Sequence, residues 1–328
     1  MYKGMKIGVV IPAYNEALLI EQVVSTVPGF VDVIIVVDDG SKDATVRIVE
    51  SCVAGVRRQI ILIKHSENRG VGAAIVSGYK KAIELDLFAV AVMAGDGQMN
   101  PNELASLVDP VVENLADYAK GNRLAHGQAW ERIPKVRYFG NAVLSLLTKI
   151  ASGYWHVVDS QTGYTVVRVD MLRMLPLDAI YKRYGCPNDI LVRLNIENAR
   201  VMDVPIEPVY GIGETSDIRL WKVSPRISLL LVKLFFIRLF QKYVIRDFHP
   251  LVFFYLASCL TLPIGLFLGF LFIYKFSYGY ISVASIVISV FLIIVSIQFV
   301  LFGMWFDMDY NRRICVFSNS RKDANADD

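Results

Sequence analysis

Histidine and cysteine are scarce in this chain, four of each in 328 residues. The cysteines (Cys52, Cys186, Cys259, Cys315) lie far apart, which excludes a disulfide framework and zinc-ligand spacing and suits a reducing compartment. No His-x-x-x-His pair is present to suggest a metal site on a helix. Charge is also in short supply: 20% of residues are charged against 54% hydrophobic, too apolar for an ordinary soluble enzyme. A secretory signal is not expected, because the first apolar run, Ile7 to Ile11, is short and ends at Pro12. The N-terminal domain is therefore expected to stay in the cytosol.

The missing charge is explained by two stretches that have none. Leu251 to Tyr274 is uncharged and, after Lys275, so is Phe276 to Phe306. Each exceeds the roughly 20 apolar residues a helix needs to cross about 30 Å of hydrocarbon. Lysine and arginine accumulate on the cytoplasmic side of spans. Arg219, Lys222, Arg226, Lys233, Arg238, Lys242 and Arg246 precede the first stretch, and Arg312, Arg313, Arg321 and Lys322 follow the second. Both ends thus read as cytoplasmic.

The expected division is a cytosolic domain over 1–218, a basic amphipathic segment over 219–249, spans over 250–274 and 280–306, and a cytosolic tail over 307–328. Arg238, Lys242 and Arg246 recur every four residues, among Leu234, Phe235, Phe236, Leu239 and Phe240. On a helix they share a face, which predicts an interfacial helix drawn to anionic lipid headgroups, at about 1 kcal/mol per basic residue.

Upstream, apolar runs at Ile7–Ile11, Val33–Val37, Ile60–Ile63 and Ala89–Met93 alternate with helix-like segments, the pattern of a parallel α/β sheet. Ligands of such sheets bind beyond the carboxyl ends of the strands. The residues there are Pro12-Ala13-Tyr14-Asn15-Glu16, Asp38-Asp39-Gly40-Ser41, Asn68-Arg69-Gly70-Val71-Gly72 and Gly95-Asp96-Gly97-Gln98. Adjacent carboxylates at a strand end point to opposite faces, so one of Asp38 and Asp39 can receive a base or ribose while the other braces the loop. Asp43 is expected to cap the following helix. Gly70 and Gly72 permit close approach, by a ligand or by neighbouring backbone. This is not the dinucleotide fingerprint, because Ile75 stands at the third glycine position. Asp96, assisted by Gln98, can offer oxygens to Mg²⁺ or Mn²⁺ bound to a diphosphate.

These blocks, with Lys120-Gly121-Asn122-Arg123, Asp159-Ser160-Gln161-Thr162-Gly163-Tyr164 and the paired apolar stretches, resemble glycosyltransferase family 2 in their order. More narrowly they resemble its polyprenyl-phosphate glycosyltransferases, relatives of dolichol-phosphate mannose synthase. The resemblance implies a GT-A, Rossmann-like, mainly parallel sheet followed by juxtamembrane and transmembrane helices. It assigns Pro12, Tyr14, Glu16, Asp38, Asp39 and Gly70 to the nucleotide and Asp96 with Gln98 to a divalent metal. Arg123 and Arg137 are assigned to the acceptor phosphate, and Asp159 to orienting the reacting groups. The usual Asp-x-Asp is broken by Ala94, which leaves the metal resting on Asp96.

What it implies is inverting transfer of a hexose-type sugar from a UDP- or GDP-sugar to undecaprenyl or dolichyl phosphate, at the inner or plasma membrane of a prokaryote. No nucleic acid is implied as a partner, and a homo-oligomer is compatible with the reading. Two competing expectations are transfer to another membrane lipid or a growing glycan and, because of Ala94, nucleotide-sugar binding without turnover. Asn188-Asp189 and Tyr210–Ser216 are read as late loops near the acceptor entrance.

Overall fold

The computed structural model describes residues 1–55, 59–124, 135–207, 209, 220–278 and 283–317; for 54–55, 135–139, 141 and 220–224 it describes the backbone alone. The chain divides into two compact units. One comprises 1–235 with the segment from 313 onward, the other 236–312.

The first unit is built on a sheet of eight strands among the described residues, in the order β3-β2-β1-β4-β6-β5-β7-β8. β1 (Ile7–Ala13), β2 (Val33–Asp38), β3 (Gln59–Lys64) and β4 (Ala89–Val92) are mutually parallel. β1 and β2 are buried along their whole length, which is why they read as unbroken apolar runs rather than alternating ones. Helices cover both faces. The side chains of Val10, Ile35 and Val37 pack with Ala74, Ile75 and Tyr79 of α3 (Val71–Glu84). On the opposite face Val9, Ile11 and Ile34 pack with Ile20 and Val24 of α1 (Ile20–Thr26) and Leu107 of α4 (Leu104–Val112). α2 (Thr45–Gly55) links β2 to β3.

Strand order reverses at β1, with β2 on one side and β4 on the other, so their carboxyl ends form the crevice of an open α/β sheet. β6 (Thr165–Arg168) runs antiparallel to both β4 and β5 (Tyr118–Asn122). Two reversals restore direction, and β5 ends at the same edge as β4. β7 (Val201–Pro205) lies parallel to β5. α5 (Lys135–Ser152), α6 (Val169–Met174) and α7 (Cys186–Ile196) complete this half. The last strand, β8 (Cys315–Val316), comes from beyond the apolar helices and pairs with β7.

α8 (Leu220–Phe240) continues as a π-helical segment to Arg246. α9 (Leu251–Ser277) and α10 (Val283–Asn311) follow. Both are long and apolar enough to cross a membrane, and their most apolar stretches are only 11% and 17% buried within the protein. Core helices of a soluble protein would be mostly covered, so these surfaces call for lipid.

Two expectations are corrected here. Arg238 and Lys242 do not line a lipid-facing surface. Both are fully buried: Arg238 pairs with Asp307 at 2.7 Å and Lys242 donates to Asn311 Oδ1 at 2.8 Å. Exposed on α8 are instead Leu229, Val232, Phe236 and Phe240, an apolar stripe at helical spacing, together with Pro225, Arg226 and Lys233, and Arg246 beyond its end is exposed too. Nor is 307–328 simply a tail, because α10 runs on to Asn311 and Cys315–Val316 join the sheet.

Candidate active site

The loops after β1 and β2 are laced together. Asn15, at φ +56°, donates its amide to Ser41 Oγ at 2.9 Å and accepts from the Lys42 amide at 2.8 Å. Glu16 N donates to Thr45 Oγ1 at 2.8 Å. Asp43 caps α2 as expected, accepting from Thr45 N at 3.0 Å, and it also receives Ala17 N at 3.1 Å.

These loops and the end of β3 enclose a cavity of about 680 Å³, lined among others by Tyr14, Asp38, Ser41, Lys42, His65 and Asn68. Asp38 Oδ2 accepts from the Gly40 and Ser41 amides at 3.2 and 3.1 Å. Its Oδ1 is buried and has no hydrogen-bond partner among the described residues. A buried carboxylate oxygen without a partner is costly, and one at a polar cavity is placed to receive an N–H or O–H from a ligand. Lys42, Lys64, His65 and Glu67 also line the cavity. Sequence reasoning passed over them, although their place at the ends of β2 and β3 could have signalled them.

Asp39 takes the other role open to the carboxylate pair. Its Oδ1 accepts from Arg69 N at 3.0 Å and meets His65 Nδ1 at 2.7 Å, and Oδ2 accepts from Gly70 N at 2.7 Å. His65 Nε2 in turn meets Ser77 Oγ at 2.9 Å. Asp39 thus braces the loop after β3. Gly70 stands at φ +99°, and a Cβ there would lie 2.4 Å from the Lys182 carbonyl oxygen, so neighbouring backbone requires the glycine. Pro12 is buried in β1, its carbonyl accepting from Gly95 N at 3.2 Å. It fixes the loop that carries Asp96.

Across the β1/β4 crevice Glu16 and Asp96 interact. Burial, then the negative charges of Asp96 and Asp43, push the Glu16 carboxyl up to about 7. Asp96 Oδ1 accepts from Gln98 N at 3.0 Å, a turn made possible by Gly97 at φ +72°. Among the described residues no three His, Cys, Asp or Glu side chains converge as a metal site. Two crowded carboxylates nevertheless suit a hard divalent cation that draws its remaining ligands from phosphate and water.

At the end of β5, Arg123 meets Asp159 through Nε–Oδ2 at 2.8 Å and Nη2–Oδ1 at 3.3 Å. Asp159 is fully buried, whereas a fifth of the Arg123 side chain is exposed. Burial alone would raise the Asp159 carboxyl, but Arg123 and Lys120 outweigh it and hold the group below its ordinary value. Arg137 falls on α5, but its side chain lies outside the described residues, as do Tyr210–Ser216. Asn188 and Asp189 are not entrance loops. They lie buried on α7, where Asp189 Oδ2 accepts from Tyr181 N at 2.6 Å and Asn188 Oδ1 accepts from Thr148 Oγ1 at 3.2 Å.

The sheet order, the cavity at the ends of β2 and β3, and the carboxylates beside it agree with a sequence match: the model of glycosyl transferase family 2 covers residues 8–175, more than half of the 328. The chain belongs to glycosyltransferase family 2. As a family 2 member it is an enzyme, with the GT-A fold expected from its motifs. Among curated relatives, a UDP-N-acetylglucosamine–dolichyl-phosphate N-acetylglucosaminyltransferase of Methanococcus voltae is 32% identical over 62% of this chain and 86% of its own length. An undecaprenyl-phosphate mannosyltransferase of Micrococcus luteus is 30% identical over 62% of this chain and 83% of its own. In fold the glycosyltransferase is similar to glucosyl-3-phosphoglycerate synthase of Mycobacterium tuberculosis, solved with Mn²⁺, UDP and glucosyl-3-phosphoglycerate. That likeness has a TM-score of 0.53 at 19% identity and covers 72% of this chain and 80% of that one.

Proposed function

We propose that this enzyme transfers a hexose-type sugar, with inversion, from a UDP- or GDP-sugar to a polyprenyl phosphate at the cytoplasmic face of a membrane. The observation that carries this reading is Arg123. It is held by a fully buried carboxylate, with part of its side chain open, at the sheet edge that also bears a nucleotide-sized cavity. The relatives named for dolichyl and undecaprenyl phosphate support the acceptor class, and the two apolar helices support its membrane setting. Basic residues flanking both helices favour the cytoplasmic orientation.

A lipid monophosphate has a second pKa near 6, so its attacking oxygen is largely deprotonated at neutral pH. That oxygen forms a bond to the anomeric carbon as the bond from that carbon to the diphosphate breaks. The electron pair leaves with the nucleoside diphosphate, and no proton need move. Arg123 binds the acceptor phosphate, and Asp159, kept ionised, fixes the guanidinium rather than serving as a base. Tyr14 and Asp38 hold the nucleoside. Asp96, with Gln98 beside it and Glu16 opposite, would hold Mg²⁺ or Mn²⁺, which offsets the charge of the departing diphosphate.

The test is incubation of the membrane-embedded protein with labelled UDP- and GDP-sugars and undecaprenyl or dolichyl phosphate. Labelled lipid that mild acid releases is expected. Label in an acid-stable glycolipid would move the acceptor to another class, and no labelled lipid with any donor would overturn the reading.

A further inference from the structure

The turn carrying Asp159 is gripped by side chains that have no part in the reaction as described. β5 and β7 lie side by side with Lys120 opposite Asp203. Strand alternation puts Lys120, Asn122 and Asp203 on one face of the sheet. Asp203 Oδ2 accepts from the Val158 amide at 2.9 Å and from Asn122 Nδ2 at 2.6 Å. Lys120, fully buried, donates its ammonium to the Thr162 carbonyl. Val158 immediately precedes Asp159. Thr162 follows Gln161, whose amide donates to Asp159 Oδ1 at 3.1 Å. The chain is therefore held on both sides of the carboxylate by groups rooted in the sheet.

Charge follows the same plan. Lys120 lies beside Asp159, Asp203 and Arg123, and burial raises the Asp203 carboxyl to about 7, against the pull of the Val158 hydrogen bond and of Lys120. Burial lowers the Lys120 ammonium, and the charges of Asp159 and Asp203 work against that shift. A lysine wholly withdrawn from water is expensive unless its charge and hydrogen bonds are met. Here the turn that bears Asp159 supplies a carbonyl acceptor and a nearby carboxylate.

We infer that Lys120, Asn122 and Asp203 are positioning residues for the acceptor step, holding the Val158–Thr162 turn so that Asp159 presents Arg123 to the acceptor phosphate in one orientation. The inference rests on the proposed transfer to a lipid phosphate. None of the three touches the reacting atoms. Their loss is felt through Asp159 and Arg123, and it spares the nucleotide cavity.

The experiment compares Asp203→Asn with Asp203→Leu in the full-length, bilayer-embedded protein. Asparagine keeps an oxygen for the Val158 amide; leucine does not. A misplacement of about 1 Å costs on the order of 100-fold in rate. Asp203→Leu is accordingly expected to lose about that factor in kcat/KM for polyprenyl phosphate, and Asp203→Asn to recover most of it, with UDP affinity by titration unchanged in both. Hydrogen exchange at the Val158 amide is expected to quicken about 10-fold or more in Asp203→Leu, as a locally released segment requires. Unchanged Val158 protection, equal losses in the two variants, or UDP affinity falling in step would each overturn the inference. Should Asp203→Leu not fold, Asn122→Ala takes its place with a smaller expected loss in the same direction. The exchange measurement needs no turnover. A wild-type protein that labels no lipid would thus sink the proposed function while leaving the grip on the turn to be judged separately.

Discussion

Two arginine–aspartate pairs in this molecule share their chemistry and differ in their access to water. Arg238 meets Asp307 through Nη1–Oδ1 at 2.7 Å and Nη2–Oδ2 at 3.0 Å, and their side chains are 1% and 2% exposed. Tyr243 and Asn311 complete the enclosure, each hydrogen bonded to Asp307. Arg123 makes a similar fork to Asp159, but a fifth of its side chain is exposed. A sealed guanidinium can serve only the protein that seals it, whereas a partly exposed one beside a buried carboxylate suits the phosphate-binding role proposed for Arg123.

The comparison breaks most sharply at Asp307. Asp307→Ala leaves a buried arginine without its carboxylate, which costs about 3–5 kcal/mol. Unfolding in detergent or nanodiscs should register the loss, and unchanged stability would show that water reaches Arg238. Next in size is Arg123→Lys, which keeps the charge but not the fork. Turnover should fall on the order of 100-fold with little change in melting temperature, while Arg238→Lys should do the reverse.

Replacing both partners sharpens the contrast. Arg238→Met with Asp307→Leu should return to within about 2 kcal/mol of the parent, because an apolar pair can fill a sealed site. Arg123→Met with Asp159→Leu should fold and transfer no sugar.

The smallest effect is one of pH. The Asp159 carboxyl sits below its ordinary value in the folded protein. Its contribution to stability is therefore complete above the unfolded value near 3.8 and disappears as pH falls through the lower folded one. Asp159→Asn should flatten that acid limb in a stability titration.

The parallel half of the sheet was legible because its strands are buried on both faces and end in polar loops, so strand, edge and candidate residues could be read together. Strand alternation also put the side chains of Asp38 and Asp39 to different uses, one lining the cavity and one bonded to the Arg69 and Gly70 amides. The structural contacts of Pro12 and Gly70 were not legible, because their partners, Gly95 and Lys182, are remote in sequence and meet them through backbone. Arg238 and Lys242 misled for a related reason. A basic residue every four positions on an apolar helix has the pattern of a lipid-facing surface, and Asp307 and Asn311 come from the far end of the second apolar helix. The buried grip of Lys120 and Asp203 was not legible, although Lys120 stands in a block that carries the family resemblance, since strand pairing across 83 residues sets it.

The pairing of β8 with β7 also orders the protein's assembly in time. Strand β7 is made before either apolar helix, and its partner only after both. While the ribosome works through the hairpin, the edge of β7 stays open to any strand that meets it. The sheet gains its last edge strand from two residues made after both apolar helices.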